Sequence, residues 1–469
     1  MRRTLAQLAR DAGGELSLPA GGDPQALATG VVVDSRRVTP GDLFAAFAGA
    51  AADGHDFLPA AFAAGAAAAL VTRPLSPQEA GGPVIRVGDI LAALQRLATA
   101  NRAAINPVVI GITGSTGKTS TKDLVAAVAS AKFATAAAER SYNNELGVPL
   151  TLLLAGPGTE VVVCELGARG PGHIAGLCAL ARPQIGVVTN VGVAHYELFG
   201  SAEAIAAAKG ELPAALPEDG VAVLNADDPA VAGLASRTRA SVVTYGLDPG
   251  AAIRAHQVSL DRLGRASFVL TRGAERAPVR LAMAGRHQVA NALAAAGAGW
   301  ALGLGIEEIA AGLGAAHASP WRMEVSEVGG AVIVNDAYNA NPTSLTAALE
   351  TCAAIVPAGG RLVAVLGYMA ELGAREAPEH EAAGRAAAAA AHQLVVVGEG
   401  ARPLADAARE AGLGDVVLVA GGGAGITAQI AAAVGPLHPG DVVLIKGSRV
   451  AGLERVAQQL EEKTREAAR

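Results

Sequence analysis

At 469 residues the chain is too long for one ordinary hydrophobic core and reads as about three domains. Apolar residues make up 51% of it and aromatics only 3%, which suits Ala- and Gly-rich helices packed closely on parallel sheets. The net charge of −6 and the lack of any concentrated Lys and Arg cluster argue against a nucleic-acid or anionic-membrane surface.

The N-terminal MRRTLAQLARDAGG has no continuous apolar run behind its two arginines, so it is expected to be an amphipathic helix of a cytoplasmic protein and not a signal peptide. No later run approaches the ~20 apolar residues of a membrane span. Residues 1–88 form a first unit of short strands and Gly-rich turns around GVVVDSRRV and PAAFAAGAAAALVTR, with ALATG as a helix-like lead-in. A helical stretch, ILAALQRLATANRAAI, ends at Asn106-Pro107, a hinge position because the residue before proline disfavours the helical region. It belongs to a second unit, residues 89–318, in which the strand PVVIGIT begins an alternation of helices with Val-rich runs such as EVVVCELGA, IGVVTNVG and GVAVLNADD. Such runs fit strands buried on both faces of a parallel sheet.

The segment HASPWRMEV at 317–325 marks the next boundary, and residues 319–469 alternate again through AVIVNDAY, RLVAVLGYM, QLVVVGEG, DVVLVAGG and DVVLIKGS. These five strands predict a second, smaller parallel sheet, and the Ala-rich tract near 382–392 predicts a helix. Cys164, Cys178 and Cys352 form no CxxC pair and no metal-ligand spacing, so they read as buried small side chains in a reducing compartment. The expected class is α/β in three domains: a small α/β N-terminal domain, a central P-loop ATPase domain on a parallel sheet, and a C-terminal Rossmann-like domain.

GITGSTGKTSTKD at 111–123 lies between a predicted strand and a predicted helix. Backbone N–H groups and the helix N-terminus converge on an anion at such a place. Lys118 would reach the β- and γ-phosphates of a nucleotide and Thr119 would ligate Mg²⁺. The strict GxxxxGK[ST] spacing is not met, because Ile112 stands where its first glycine belongs. A phosphate loop alone leaves kinase, switch GTPase, motor and ligase open, and a non-catalytic nucleotide-binding scaffold is a further class. Glu165, at the end of the strand EVVVCELGA, could hold Mg²⁺ or be a surface acid. His195, after another strand end, reads by itself as structural, and Lys209 in AAAKGELPAAL as a helix-surface lysine. Arg322 reads as a linker arginine and Asp336 as a turn acid after a strand.

The ordered set TGSTGKTSTK, YNNELGVPLTLL, ELGARGPGHI, TNVGVAHYELFGS, AAAKGEL, NADD, GRHQVANALAA, WRMEV, NDAYNANPTS, LGYMAELG and KGSR resembles the Mur ligase family. DSRRVTPGDLFAAFAG and DGHDFLPAA at 34–60 agree with it. The resemblance implies that Gly114, Ser115, Thr116, Gly117, Lys118, Thr119 and Ser120 hold the ATP phosphates, with Thr119 on one Mg²⁺ and Glu165 and His195 on a second. It implies that Lys209 is carbamylated, which would replace an ammonium that repels Mg²⁺ by two oxygens that bind it. Asn291 would contact the base region, Arg322 the γ-phosphate and Asp336 the ribose. Asp34, Ser35 and Arg36 would line a nucleotide-sugar pocket, Asn143 and Asn144 would hold the sugar-peptide acceptor, and Lys446, Ser448 and Arg449 would lie near the incoming peptide.

Within the family, NDAYNANPTS stands where single-amino-acid branches carry an Asp-Asn-Pro-Arg type sequence. This and LGYMAELG favour the dipeptide-adding branch, with UDP-N-acetylmuramoyl-tripeptide and D-alanyl-D-alanine as substrates; a sibling adding a single amino acid is the alternative. Tyr368 departs from the LGDMxELG form, which has Asp there. The expected chemistry is activation of a carboxylate as an acyl phosphate and its capture by an amine, in a monomer whose third domain closes over ATP.

Overall fold

A computed structural model describes residues 1–49, 52–192, 199–421 and 425–467. The N-terminal amphipathic helix is present as Leu5–Ala12. Thr4 and Gln7 cap it reciprocally, Leu5, Leu8, Ala9 and Ala12 are buried, and a left-handed Gly13 ends it. The first sheet has five strands in the order Glu15–Ser17, Val84–Arg86, Ala68–Val71, Asp42–Ala45, Gly30–Val32, parallel except for the first. ALATG is extended and not helical: Leu27–Ala28 pairs antiparallel with Arg3–Thr4, and the Gly30–Val32 strand begins two residues later. The few residues between Pro24 and Gly30 cannot offset helix nucleation.

The helix Ile90–Ile105 ties the first sheet to the second. Asp89 caps its start through Ala92 N, and Asn106 ends it in a left-handed conformation, φ 51°, ahead of Pro107. The buried Asn101 amide donates to Leu152 O and Ala155 O, and Arg102 donates to Ala181 O and Arg182 O. One apolar core therefore runs from Leu5 and Leu8 through Leu94 and Leu97 to Val148 and Leu152.

The central sheet has nine strands in the order Glu275–Ala284, Arg265–Arg272, Ile253–Leu260, Ser241–Gly246, Val221–Asn225, Ile185–Val188, Val108–Thr113, Val161–Glu165, Thr135–Ala137. Strand–helix alternation stops earlier than expected, because the first three strands of that order join without intervening helices and pair antiparallel with one another. Their half-buried alternation, plain in ERAPVRLAMA, is the period of a sheet with one wet face. The helices Lys118–Ser130, Gln288–Ala301 and Ile306–Ala315 pack together over the other core of this sheet.

The third sheet has six strands, not five, in the order Glu324–Val328, Ala331–Asp336, Val442–Lys446, Leu362–Gly367, Gln393–Val397, Val416–Val419. The additional strand, Glu324–Val328, is antiparallel and lies at the edge, where EVSEV can leave polar residues in water. Strands Val108–Thr113, Val161–Glu165, Ala331–Asp336 and Val442–Lys446 all end at a cleft between the second and third domains. This is where open parallel sheets place ligands.

Candidate active site

The loop after Val108–Thr113 is fixed by backbone geometry. Gly114 takes φ +149°, and a Cβ there would lie 1.9 Å from Thr189 Oγ1; at Gly117, φ +77°, it would lie 2.5 Å from Asn291 Oδ1. Both positions require glycine. Asn190 straps the loop, since Ser115 N donates to its carbonyl (2.9 Å) and Thr116 N to its side-chain Oδ1 (2.9 Å). Ser115 Oγ meets Gly192 across the same gap. The helix Lys118–Ser130 starts on this loop and turns its free N–H groups toward it.

Lys118 Nζ donates to Gly114 O (2.7 Å) and Ser115 O (3.2 Å). Thr119 Oγ1 donates to Glu165 Oε2 (2.7 Å), while Ser141 Oγ (2.7 Å) and Asn143 Nδ2 (2.8 Å) donate to Oε1. Burial works to raise the Glu165 pKa, but the charges of Lys118 and Arg322 and these hydrogen bonds outweigh it and keep the carboxyl below its ordinary range. Burial lowers Lys118, with Glu165 opposing and Arg322 adding to the shift. A buried carboxylate beside a threonine hydroxyl is a hard-oxygen donor pair that fits Mg²⁺.

Lys209 is not a surface lysine. It is 2% exposed at the end of the helix Ala202–Lys209, with its ammonium 6.0 Å from the centre of the Phe199 ring. Burial, then the charge of Lys118, lowers its pKa to about 7, against an opposing pull from Glu211. His195 lies outside the described residues.

The third domain brings Arg322, Asp336 and Lys446 to the same cavity of about 600 Å³ that Lys118, Thr119, Glu165 and Lys209 line. The Arg322 guanidinium lies 3.9 Å from the centre of the Tyr338 ring, and its Nε is buried without a hydrogen-bond partner among the described residues. Asp336 accepts from Lys446 Nζ (2.5 Å) and Met323 N (3.1 Å). Asn291 faces the loop, accepting from Thr121 Oγ1 (3.2 Å) and donating to Gln288 Oε1 (2.8 Å).

Other expected residues sit differently. Asn143 and Asn144 line the cavity, yet Asn143 braces Glu165, and Asn144 Oδ1 accepts from Gly147 N (2.8 Å) at the start of the helix Gly147–Leu154. Ser448 is buried, accepting from Ala370 N (2.9 Å) and donating to Ala340 O (3.3 Å), and Arg449 lies 4.5 Å from the Trp321 ring centre. Neither lines the cavity, and nor do Asp34, Ser35 and Arg36. Those three form a turn in which Arg36 pairs bidentately with Asp34 (2.9 and 2.8 Å), holding its pKa at about 2. Tyr368 donates to Glu376 Oε2 (2.6 Å) and stacks on His380 at 5.1 Å. Ser141 and Asn190 were not singled out from sequence, although Ser141 directly precedes YNNELGVPLTLL and Asn190 lies within TNVGVAHYELFGS. Arg322 and Lys118, gathered around one cavity, can neutralise a triphosphate and the charge that develops when its terminal group moves, and the Thr119–Glu165 pair can hold a divalent cation beside them.

The chain is similar to known proteins along nearly its whole length. The Mur ligase family, catalytic domain matches residues 28–102, the Mur ligase middle domain 112–299, and the Mur ligase, glutamate ligase domain 321–449. The UDP-N-acetylmuramoyl-tripeptide–D-alanyl-D-alanine ligase of Mycobacterium bovis is 44% identical over 97% of each chain, and that of Escherichia coli is 37% identical over 92% of this chain and 93% of its own. A crystal structure of MurF from Acinetobacter baumannii superposes with a TM-score of 0.83 at 29% identity, covering 98% of this chain and 99% of its own. MurF ligase from Thermotoga maritima in complex with ADP gives 0.78 at 28% identity, covering 94% and 99%.

Proposed function

The chain belongs to the Mur ligase family, and from that premise we propose that it joins D-alanyl-D-alanine to UDP-N-acetylmuramoyl-tripeptide with ATP, forming a C–N bond in peptidoglycan precursor synthesis. The observation that carries the reading is the cavity itself, in which a phosphate loop on the second domain faces Arg322 on the third, in a chain that matches dipeptide-adding ligases along nearly its whole length.

Condensing a carboxylate with an amine in water is uphill, and a carboxylate oxygen leaves poorly. Transfer of the γ-phosphoryl group to the tripeptide carboxylate gives an acyl phosphate and ADP. The dipeptide amine then attacks the carbonyl carbon, loses its proton, and expels phosphate from the tetrahedral intermediate. In our reading the Gly114–Ser120 loop and Lys118 hold the phosphates in line, Arg322 meets the γ-phosphate, Asn291 and Asp336 take the nucleoside end, and the closed cleft keeps water from the acyl phosphate.

Mg²⁺ would be held by Thr119 and Glu165, and would screen the phosphate charge when bound. Lys209 supports a second role, since a buried amine with a pKa of about 7 has a substantial neutral fraction at cytoplasmic pH and can take up CO₂ as a carbamate, adding oxygen donors to the cavity that Glu165 also lines. His195 would be a further ligand by family resemblance. The nucleotide sugar would meet Asp34, Ser35 and Arg36, whose side chain is 86% exposed. Lys446, Ser448 and Arg449 would flank the dipeptide, and Asn143 and Asn144 the acceptor. Among the described residues no helix is long and apolar enough to cross a membrane, which suits a cytoplasmic enzyme. One copy supplies every group named here, so we propose a monomer.

The test is phosphate release from ATP and Mg²⁺ with the UDP-tripeptide, with and without the dipeptide. Release that needs both, with a pentapeptide product by mass, is expected. Release with single amino acids would move the chain to a sibling branch, and no release with any acceptor would end the reading.

A further inference from the structure

The segment that carries Arg322 is gripped from both sides. On the third-domain side, Met323 N donates to Asp336 Oδ1 (3.1 Å) and Tyr338 N donates to Trp321 O (3.1 Å). Trp321 and Met323, on either side of Arg322, take φ +61° and +49°, a conformation that side chains with a Cβ rarely adopt. The position of Arg322 is therefore set by its neighbours and is not a free choice of a flexible linker.

On the second-domain side, the grip is a ring of five contacts. Asp123, on the helix that begins with Lys118, accepts from Ser319 N (2.9 Å) and Ser319 Oγ (2.7 Å) through Oδ2. Its Oδ1 pairs with Lys122 Nζ at 2.8 Å. The Lys122 ammonium, 2% exposed, also donates to Ala138 O. Ser319 Oγ lies 3.3 Å from Glu139 O. Two residues beyond Glu139 comes Ser141, which donates to Glu165. A single serine, three residues ahead of Arg322, thus touches both the phosphate-loop helix and the strand-to-loop segment that braces Glu165.

We propose that Asp123 and Ser319 are positioning residues for the ligase reaction. Their hydrogen bonds set where the interdomain segment leaves the second domain, and so hold Arg322 in register with Lys118 and Glu165. The inference rests on the functional reading above, in which Arg322 meets the γ-phosphate. A charge-stabilising group contributes most when preorganised, and a displacement of about 1 Å can cost as much as 10²-fold in rate. Neither Asp123 nor Ser319 lines the cavity, so their effect must pass through the groups they hold.

A double-mutant cycle tests this. Ser319→Ala should lower kcat for phosphate release by about tenfold or more while leaving the KM for ATP within about twofold, and Ser319→Thr, which keeps the hydroxyl, should restore most of it. Asp123→Asn, which keeps the shape and weakens the charge-assisted bonds, should fall between them. In an Arg322→Lys background, where the guanidinium fork is already lost, Ser319→Ala should cost less than about twofold more. Equal fractional losses in both backgrounds would overturn the proposal, as would a Ser319→Ala enzyme that melts earlier but keeps its kcat below its melting range. Failure of the functional reading appears separately, as wild-type release that does not need the dipeptide or an Arg322→Lys enzyme as fast as wild type.

Discussion

A lysine held neutral inside a protein should cost stability in a way that pH reveals, and Lys209 is the place to look. Its pKa is about 7 in the folded chain, against an ordinary 10.5. The sign follows from proton counting: between those values the unfolded chain binds more protons than the folded one, so stability rises with pH. The penalty is absent above about 10.5, grows as pH falls, and is complete below about 7. With about 1.4 kcal/mol per tenfold, it comes to about 4 kcal/mol near pH 7.5 and about 1.4 kcal/mol near pH 9.5. Lys209→Met keeps the volume and removes the charge, so without bicarbonate and nucleotide the variant should be the more stable protein by roughly these amounts. Two tryptophans are present, and Trp300, on the helix Gln288–Ala301 of the central domain, can report urea unfolding once Trp321 is replaced by Phe. A stability difference that stays flat from about pH 7.5 to about pH 9.5 would refute the reasoning. The same neutrality makes the amine a nucleophile toward CO₂, so ¹³C-bicarbonate should give wild type, and not Lys209→Met, a carbamate resonance.

Lys118→Ala should lower kcat by on the order of 10²–10³, the loss expected on removing one preorganised charge-stabilising group; phosphate release kept near the wild-type rate would show that the loop does not act on the γ-phosphate. Asp336→Asn leaves Lys446, 2% exposed, without its counter-charge and should destabilise the third domain by about 3–5 kcal/mol in urea unfolding. Closure of the third domain should shorten the maximum dimension in small-angle scattering when a non-hydrolysable ATP analogue and the UDP-tripeptide are both present, whereas identical profiles would count against closure.

What the sequence displayed and what it hid divide along physical lines. The geometry of the Gly114–Ser120 loop was legible because its requirements are local: Gly114 and Gly117 answer to their own backbone angles and to one neighbour each, and Lys118 and Thr119 follow directly. Glu165 was legible as a strand-end acid but not as a braced one, because Ser141 and Asn143, which hold it, lie 24 and 22 residues away in the chain. Lys209 looked like an ordinary helix lysine because AAAKGEL carries no sign that its ammonium is enclosed. Burial is a property of packing, and the neighbouring alanines pack against whatever the fold supplies. The antiparallel extension from Ile253 to Ala284 escaped because its alternating residues lack the Val-rich density that marked the parallel strands. The edge strand Glu324–Val328 escaped for the same reason. Asp34 and Arg36 were placed at a ligand pocket by the family resemblance alone, and their local sequence did not display the bidentate pairing they make with each other. Arg322 is an unremarkable linker arginine until Trp321 and Met323 are found in left-handed backbone on either side of it, and Ser319 is found bonded to an aspartate 196 residues away. A residue whose function depends on where two domains meet carries little of that function in its local sequence, so the interdomain segment is where substitution should separate activity from stability most cleanly.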